Sequence, residues 1–319
     1  MKLDQDLLER FEKTINTSHP DKGNISIKIL GYGEISLVFQ LENNDEMAFK
    51  RLPIFNSEKQ VKRHIKAYEL YQRDLLEKIG LHIPPFGSAY VKTKKNSYTL
   101  FLAQQKLNSS SLCHKIIHSV SQDQIELIYH LIMKELLKIF TFNKKNISKK
   151  VGIDAQISNW AIKNFDPEHI QVTEQTKFYY IDTSTPMFRI DGNEAMEAEL
   201  FLESAPFFLR GILKLLFLQE VLDRYYDWRL VAIDMLANLY KEQKQNSIPG
   251  CLKIVNDFFS TEAKEFGIKK IHLQEVTDYY SSDKLIWEIF QSARRFDKFL
   301  QTKLLKGKYA FYLPPVIKR

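Results

Sequence analysis

The chain has 319 residues, 44% of them hydrophobic and 27% charged, enough for one large domain or two modest ones in a soluble globular protein. Eleven glycines and two cysteines exclude a collagen-like chain and a disulfide scaffold, and the apolar content excludes disorder over most of the length. The net charge of +7 is a mild bias toward phosphates or acidic surfaces. A solvated lysine-rich surface is the better explanation of it, and nucleic acid is not an expected partner.

Cys113 and Cys251 stand far apart in no metal-ligand spacing and read as isolated thiols of a reducing compartment. The start, MKLDQDLLER, carries acids where a signal peptide would be apolar. The most apolar stretch, Ala205 to Leu218, contains Arg210 and Lys214 and is shorter than a bilayer span. No transmembrane segment is expected. The reading is a cytoplasmic protein, with export as a secreted, host-targeted effector left open by the Asn/Lys/Ile-rich composition and basic C-terminus.

Lys2 to Ile15 is charged and helix-compatible, so residues 1–24 read as an N-terminal helical extension. From Asp21 the period changes to two. Ile25, Ile27 and Ile29 alternate with polar residues, and Leu37, Phe39 and Leu41 do so again after the turn Gly31-Tyr-Gly33. A third strand, Met47 to Leu52, contains Lys50. Ser57 to Ile79 holds neither Gly nor Pro and carries a helical apolar stripe, with Ser57 as its N-cap and Gly80 as its stop. Ser88–Val91 and Tyr98–Ala103 read as a hairpin around Lys94-Lys95-Asn96. Residues 25–107 thus form β-β-β-α-β-β.

The remainder, 108–319, reads as mostly helical. Ser121 to Phe142 is one long helix, and Val151 to Lys163 is short and irregular. FYYID at Phe178–Asp182 is a buried strand ending on an aspartate. Helices are expected over Glu194–Lys244, Pro249–Phe259, Leu273–Tyr280 and Asp283–Leu305.

Five pieces of this pattern carry chemistry. Gly31 and Gly33 let backbone N–H groups approach a phosphate unobstructed, although a hairpin alone also explains them. Lys50 could reach phosphate oxygens from its strand, or face water from a sheet edge. Glu69 on the following helix could pin the Lys50 ammonium; its neighbours Tyr68 and Leu70 favour it over Glu58 and Glu77. Asp154 and Asn159, spaced Asp-x-x-x-x-Asn in a loop after the long helix, suit a proton acceptor followed by a metal ligand, or a simple turn. Asp182, at the end of a buried strand, needs a cation or a turn to compensate its burial.

Taken in order, these residues resemble the protein-kinase-like fold of protein kinases and of aminoglycoside and choline phosphotransferases. The resemblance covers roughly residues 25 to 190, and the stretch from Asp182 onward is similar to a bacterial kinase-like family. It implies an α+β, bilobal architecture: a small N-lobe with an antiparallel sheet and one helix, and a large, mostly helical C-lobe. It also implies that Gly31 and Gly33 cover the phosphates of ATP, that Lys50 contacts them while Glu69 holds it, and that Gln104–Asn108 forms an adenine-binding hinge. Asp154 would be the catalytic base, and Asn159 and Asp182 would hold Mg²⁺.

The departures are specific. Gly152-Ile153 stands where His-Arg usually precedes the catalytic Asp, Thr183-Ser184 replaces Phe-Gly, a third loop glycine is missing and no Ala-Pro-Glu follows. They argue against a protein kinase switched by its activation segment and toward phosphoryl transfer to a small-molecule hydroxyl. Two alternatives stay open: a pseudokinase acting as an interaction module, and AMP transfer or protein phosphorylation by an effector. His114 and His118 at i, i+4 lack a third ligand and read as surface histidines. The run Arg224–Arg229 (RYYDWR) reads as aromatic core with arginines reaching outward.

Overall fold

The computed structural model describes residues 1–17, 19, 23–32, 36–42, 44–94, 97–197, 199–202, 211, 218–304, 309 and 311–313. It is an α+β structure. Strands β1 (Ile27–Tyr32), β2 (Leu37–Leu41), β3 (Met47–Phe55), β4 (Phe86–Lys94) and β5 (Ser97–Gln105) form one antiparallel sheet in the order β1-β2-β3-β5-β4. The central strand β3 pairs with β2 and β5, Lys50 lying opposite Val38 and Leu102. A bulge between Ile29 and Gly31 interrupts the β1–β2 pairing.

Alternation along β3 sorts its residues between two cores. Phe49 shares one face with Phe39, Leu41, Phe101 and Ala103. Leu52 and Ile54 share the other with Leu100 and Leu102. Each face is covered by a helix, so the sheet carries two helices where the sequence reading gave it one. Helix α1 (Gln5–Thr14), capped by Asp4 accepting from the Leu7 N–H, lays Leu8 and Phe11 on the first face. The Phe11 ring stacks on Phe39 at 5.1 Å and meets Phe101 edge-on at 6.0 Å. The N-terminal extension is thus part of the sheet's core. Between α1 and the sheet, Arg51 donates from Nε and Nη2 to the two Glu12 oxygens at 2.7 and 2.6 Å, and Thr99 Oγ1 donates to Glu12 Oε1 at 2.9 Å.

Helix α2 (Glu58–Arg73) covers the other face. Ser57 caps it by accepting from the Gln60 N–H. It widens into a π turn over Asp74–Ile79 and stops at Gly80, whose φ of 81° is left-handed, the conformation that glycine adopts without a Cβ penalty. Val61 and Tyr68 face the sheet, while Tyr71, Leu75 and Ile79 join the larger core of the following helices. One helix thereby ties the sheet to the rest of the chain.

Beyond the sheet come α3 (Cys113–Ile116), α4 (Gln122–Lys145), α5 (Glu199–Leu202), α6 (Leu218–Arg224), α7 (Trp228–Lys241), α8 (Ile248–Ser260) and α9 (Leu273–Phe299). Helix α7 buries Val231–Asn238 without interruption, as expected of a helix surrounded by protein. Trp228 stacks on Phe140 at 5.0 Å and meets Phe258, Phe259 and Phe266 edge-on. Of the RYYDWR run only Trp228 is buried; Arg224, Tyr225, Tyr226 and Arg229 are half-buried, with Arg229 bound to Glu275 and Arg224 to the Tyr279 hydroxyl. Helix α9 is continuous where the sequence reading placed two helices, because Ser281 and Ser282 are tolerated inside it; the Ser281 hydroxyl donates to Thr277 O.

Two small sheets sit between α4 and α5. β6 (Lys149–Val151) pairs with β9 (Phe188–Ile190), which also pairs with β10 (Asn193–Glu194); β7 (Trp160–Ile162) pairs with β8 (Phe178–Tyr180). Strand β8 stops two residues before Asp182, earlier than the sequence pattern suggested. Among the described residues no helix is long and apolar enough to cross a membrane. Apart from Gly211 and Leu218, the apolar stretch of residues 205–218 lies outside the described residues, as do Gly33 and residues 95–96.

Candidate functional site

The two small sheets and β3 converge on one group of polar side chains. Lys50 projects from the face of β3 that α2 covers, because it shares the alternation of Leu52 and Ile54. Its ammonium donates to Asp182 Oδ1 at 2.7 Å and to Ser184 Oγ at 2.9 Å, and the Ser184 hydroxyl donates to the same Asp182 oxygen at 3.0 Å. Lys50 and Asp182 are 132 residues apart in sequence. Both stay about a quarter exposed, 24% and 29%, so the pair is reachable from solvent.

Asp154 and Asn159 sit on the loop between β6 and β7. A one-turn 3₁₀ helix, Ile157–Asn159, shapes the loop. The Asp154 carboxylate accepts from the Gln156 N–H at 3.1 Å, and Asn159 Nδ2 donates to the Asp154 carbonyl at 3.1 Å. The Asn159 carbonyl in turn accepts from the Ile181 N–H at 2.9 Å, which fixes the loop against the residue before Asp182. Lys50, Asp154, Asn159 and Asp182 are thus one cluster, built by the β7–β8 pairing and by β3.

The carboxylates differ electrostatically. Burial alone would raise Asp182, but the Lys50 ammonium and the Ser184 hydrogen bonds outweigh it and hold Asp182 below the usual carboxylate range. At Asp154 burial is offset only in part, by the Gln156 N–H and the Lys241 charge. Burial, then the charges of Asp234 and Asp182, push it well above that range. Perturbation in opposite senses of two neighbouring carboxylates is characteristic of functional sites.

Glu69 does not belong to this cluster. A helix turns 100° per residue, and the buried stripe of α2 runs through Val61, His64, Tyr68, Tyr71 and Leu75. Glu69 lies off that stripe and is exposed, so adjacency to Tyr68 was a misleading signal. The side chains that α2 does present are His64 and Tyr68. His64 is buried beside the Ser184 backbone, and that burial pushes it down to about 4. The Tyr68 hydroxyl sits beside Gln72 and Thr183.

Gly31, next to last in β1, lies in open surroundings: a Cβ there would meet nothing within 4 Å. Gly33 lies outside the described residues. In the segment Gln104–Asn108, the Gln105 N–H donates to Pro85 O and the Lys106 N–H to Glu46 O. Leu107 follows with its N–H unpaired among the described residues, and Asn108 caps the next turn. Gln104 reaches back into the cluster, its Nε2 donating to Thr183 Oγ1 at 2.8 Å.

Sequence reasoning missed a supporting layer. Gln156 Nε2 donates to both oxygens of Asp234 on α7 at 3.3 and 3.2 Å. Asp234 is buried and raised, chiefly by that burial. Tyr71, from α2, donates to Gly152 O at 2.9 Å. Asp234, the one charged residue of the run VAIDMLANL, was the available signal. Such a residue must be paired when buried.

His114 is partly buried and lowered by burial, whereas His118 is exposed. Among the described residues, no group of three or more His, Cys, Asp or Glu could hold a metal ion. The chain belongs to DUF6206, a family of unknown function, which it matches over residues 10–298. No curated protein gives a significant match.

Proposed function

We propose that this DUF6206 protein is an ATP- and Mg²⁺-dependent phosphotransferase of bilobal, protein-kinase-like architecture, with a small-molecule hydroxyl as the acceptor. The observation that carries the reading is the Lys50–Asp182 ion pair at 2.7 Å. It joins the central strand of the sheet to the loop after β8, next to Asp154 and Asn159. In this reading residues 25–107 are the N-lobe, with the five-stranded antiparallel order as support, and 108–319 the C-lobe.

The donor set suits Mg²⁺, which prefers a few hard oxygen ligands and completes its shell with phosphate and water. Asp182 is held ionised. Asn159 uses its Nδ2 on Asp154 O, which leaves its side-chain carbonyl oxygen for a cation. The bound ion would neutralise phosphate charge as the phosphoryl group moves.

The chain's own residues would then do three things. Lys50 would exchange its Asp182 contact for phosphate oxygens, a short move for a flexible ammonium. Asn159 and Gln156 would hold the Asp154 loop in place. Asp154 would accept the proton of the acceptor hydroxyl; its raised pKa makes it a better proton acceptor than an ordinary carboxylate. Catalysis of this kind is mainly positioning and charge neutralisation.

The exposed Glu69 favours a second reading, a nucleotide-binding interaction module. In it Lys50 stays tied to Asp182, with no helix carboxylate to draw it away. AMP transfer would use the same cluster with the nucleotide reversed.

A thermal-shift titration with ATP, with and without Mg²⁺, separates these readings from no nucleotide binding at all. Saturation at 100 times Kd stabilises by about 2.7 kcal/mol. The expected result is a Mg²⁺-dependent shift that Asp182→Ala removes and Asp154→Asn keeps. Transfer of labelled γ-phosphate to a hydroxyl, lost in Asp154→Asn, marks the phosphotransferase; transfer of label from the α-phosphate marks AMP transfer. An unchanged melting temperature in the wild type would sink the nucleotide readings together.

A further inference from the structure

Residues 163–177, between β7 and β8, line an open surface hollow of about 380 Å³, within the size range of small-molecule sites. The loop is built from its own hydrogen bonds. Its neck is closed by the Lys163 N–H donating to Lys177 O at 2.8 Å. The Thr173 N–H donates to Thr176 Oγ1 at 2.9 Å, and the Glu168 N–H to Asp166 Oδ1 at 3.0 Å. Asn164 takes the left-handed conformation, φ 56°, as the chain leaves β7. Compact loops with closed ends of this kind are frequently functional.

Two lysines face each other across the neck. Ile162 pairs with Phe178 in the antiparallel ladder, so Lys163 and Lys177 are the next opposed pair. Opposed residues of an antiparallel pair put their side chains on one face, where like charges repel. Both line the cavity, and among the described residues neither has a carboxylate partner. Lys163 leans over the Tyr179 ring at 5.5 Å. Their field reaches His82, held below its usual value by burial and by Lys163, with Lys138 and Lys177 adding to it against Glu135. The one carboxylate lining the cavity, Asp166, is engaged by His169 at 3.2 Å. Thr176, Gln171 and Gln175 add neutral polar groups to the lining.

We propose that this loop is a binding site for a small phosphoryl-bearing ligand, held between Lys163 and Lys177. Two opposed lysines with no carboxylate bonded to either are a cost in the free protein that a bound phosphoryl group removes, since each ammonium gains a charge-assisted hydrogen bond. The site is separate from the Lys50–Asp182 cluster and does not depend on the phosphotransferase reading.

The test is isothermal titration of the full chain with inorganic pyrophosphate, without Mg²⁺ and at constant ionic strength. It compares wild type, Lys163→Gln/Lys177→Gln and Lys50→Met. Saturable binding is expected in wild type and Lys50→Met, with affinity at least tenfold weaker in the double variant. With no ligand present, Lys177→Gln alone is expected to melt at or above the wild-type temperature, because it removes the repulsion. Equal binding by wild type and the double variant, loss of binding in Lys50→Met only, or no binding by the wild type would each overturn the assignment.

Discussion

Glu12→Gln is expected to destabilise the protein by about 3–5 kcal/mol, the usual cost of removing one partner of a buried ion pair. The substitution keeps the shape of the side chain and removes its charge. Glu12 and Arg51 are 6% and 10% exposed, so solvent screens the pair little. Arg51 would keep its full charge with two donors aimed at Glu12, and Thr99 would lose its charged acceptor. An unfolding entropy of about 2.1 cal/mol/K per residue over 319 residues gives roughly 0.7 kcal/mol/K, so unfolding as one unit should occur about 4–7 °C lower. Calorimetry and urea midpoints measure this directly. Arg51 neighbours Lys50 on β3, so nucleotide affinity measured on the folded variant also reports whether α1 sets the register of the site lysine. A second variant, Glu12→Leu/Arg51→Met, replaces the pair by apolar groups and should recover most of the loss. A melting shift below 1 °C for Glu12→Gln, or a double variant no better than the single one, would refute the claim that this pair anchors α1.

The pH dependence of stability should carry two opposed contributions. His64, at about 4 when folded against 6.5 unfolded, binds fewer protons folded, so its contribution is full above about pH 6.5 and lost as pH falls to 4. That is roughly 3 kcal/mol, and His64→Gln should flatten urea midpoints over that window. Asp154 is raised, so its burial costs stability as pH rises above about 4, up to its folded value. Asp154→Asn should therefore be more stable than wild type at neutral pH and no better at pH 3.5, measured by the same midpoints. Glu69→Ala should change stability by less than about 0.5 kcal/mol and leave Mg²⁺–ATP binding intact; a clear loss of affinity would restore Glu69 to the site. Trp228→Ala should cost about 3–5 kcal/mol by emptying the space between Phe140 and Phe266; a denaturation midpoint near wild type would contradict its central place in the core.

The local pattern along the chain determined most of the elements. Alternation at Leu37, Phe39 and Leu41 and around Lys50 wrote the strands. The gap-free stripe from Ser57 to Gly80 wrote α2 with both of its ends, because caps and stop signals are local physics. The residue types Lys50, Asp154, Asn159 and Asp182 were legible for a related reason: a charged residue inside an apolar stretch needs compensation wherever it folds.

Partnership was decided only by tertiary structure. Which carboxylate meets Lys50 depends on a helix phase of 100° per residue and on a loop 132 residues away, and neighbours in sequence say nothing about either. The same holds for α1, which reads as a charged extension until Phe11 finds Phe39 and Glu12 finds Arg51. It holds for Asp234 beneath Gln156, and for two lysines that become opposed only through the β7–β8 register. Long-range pairing is set by how the elements pack, and packing is a property of the whole chain.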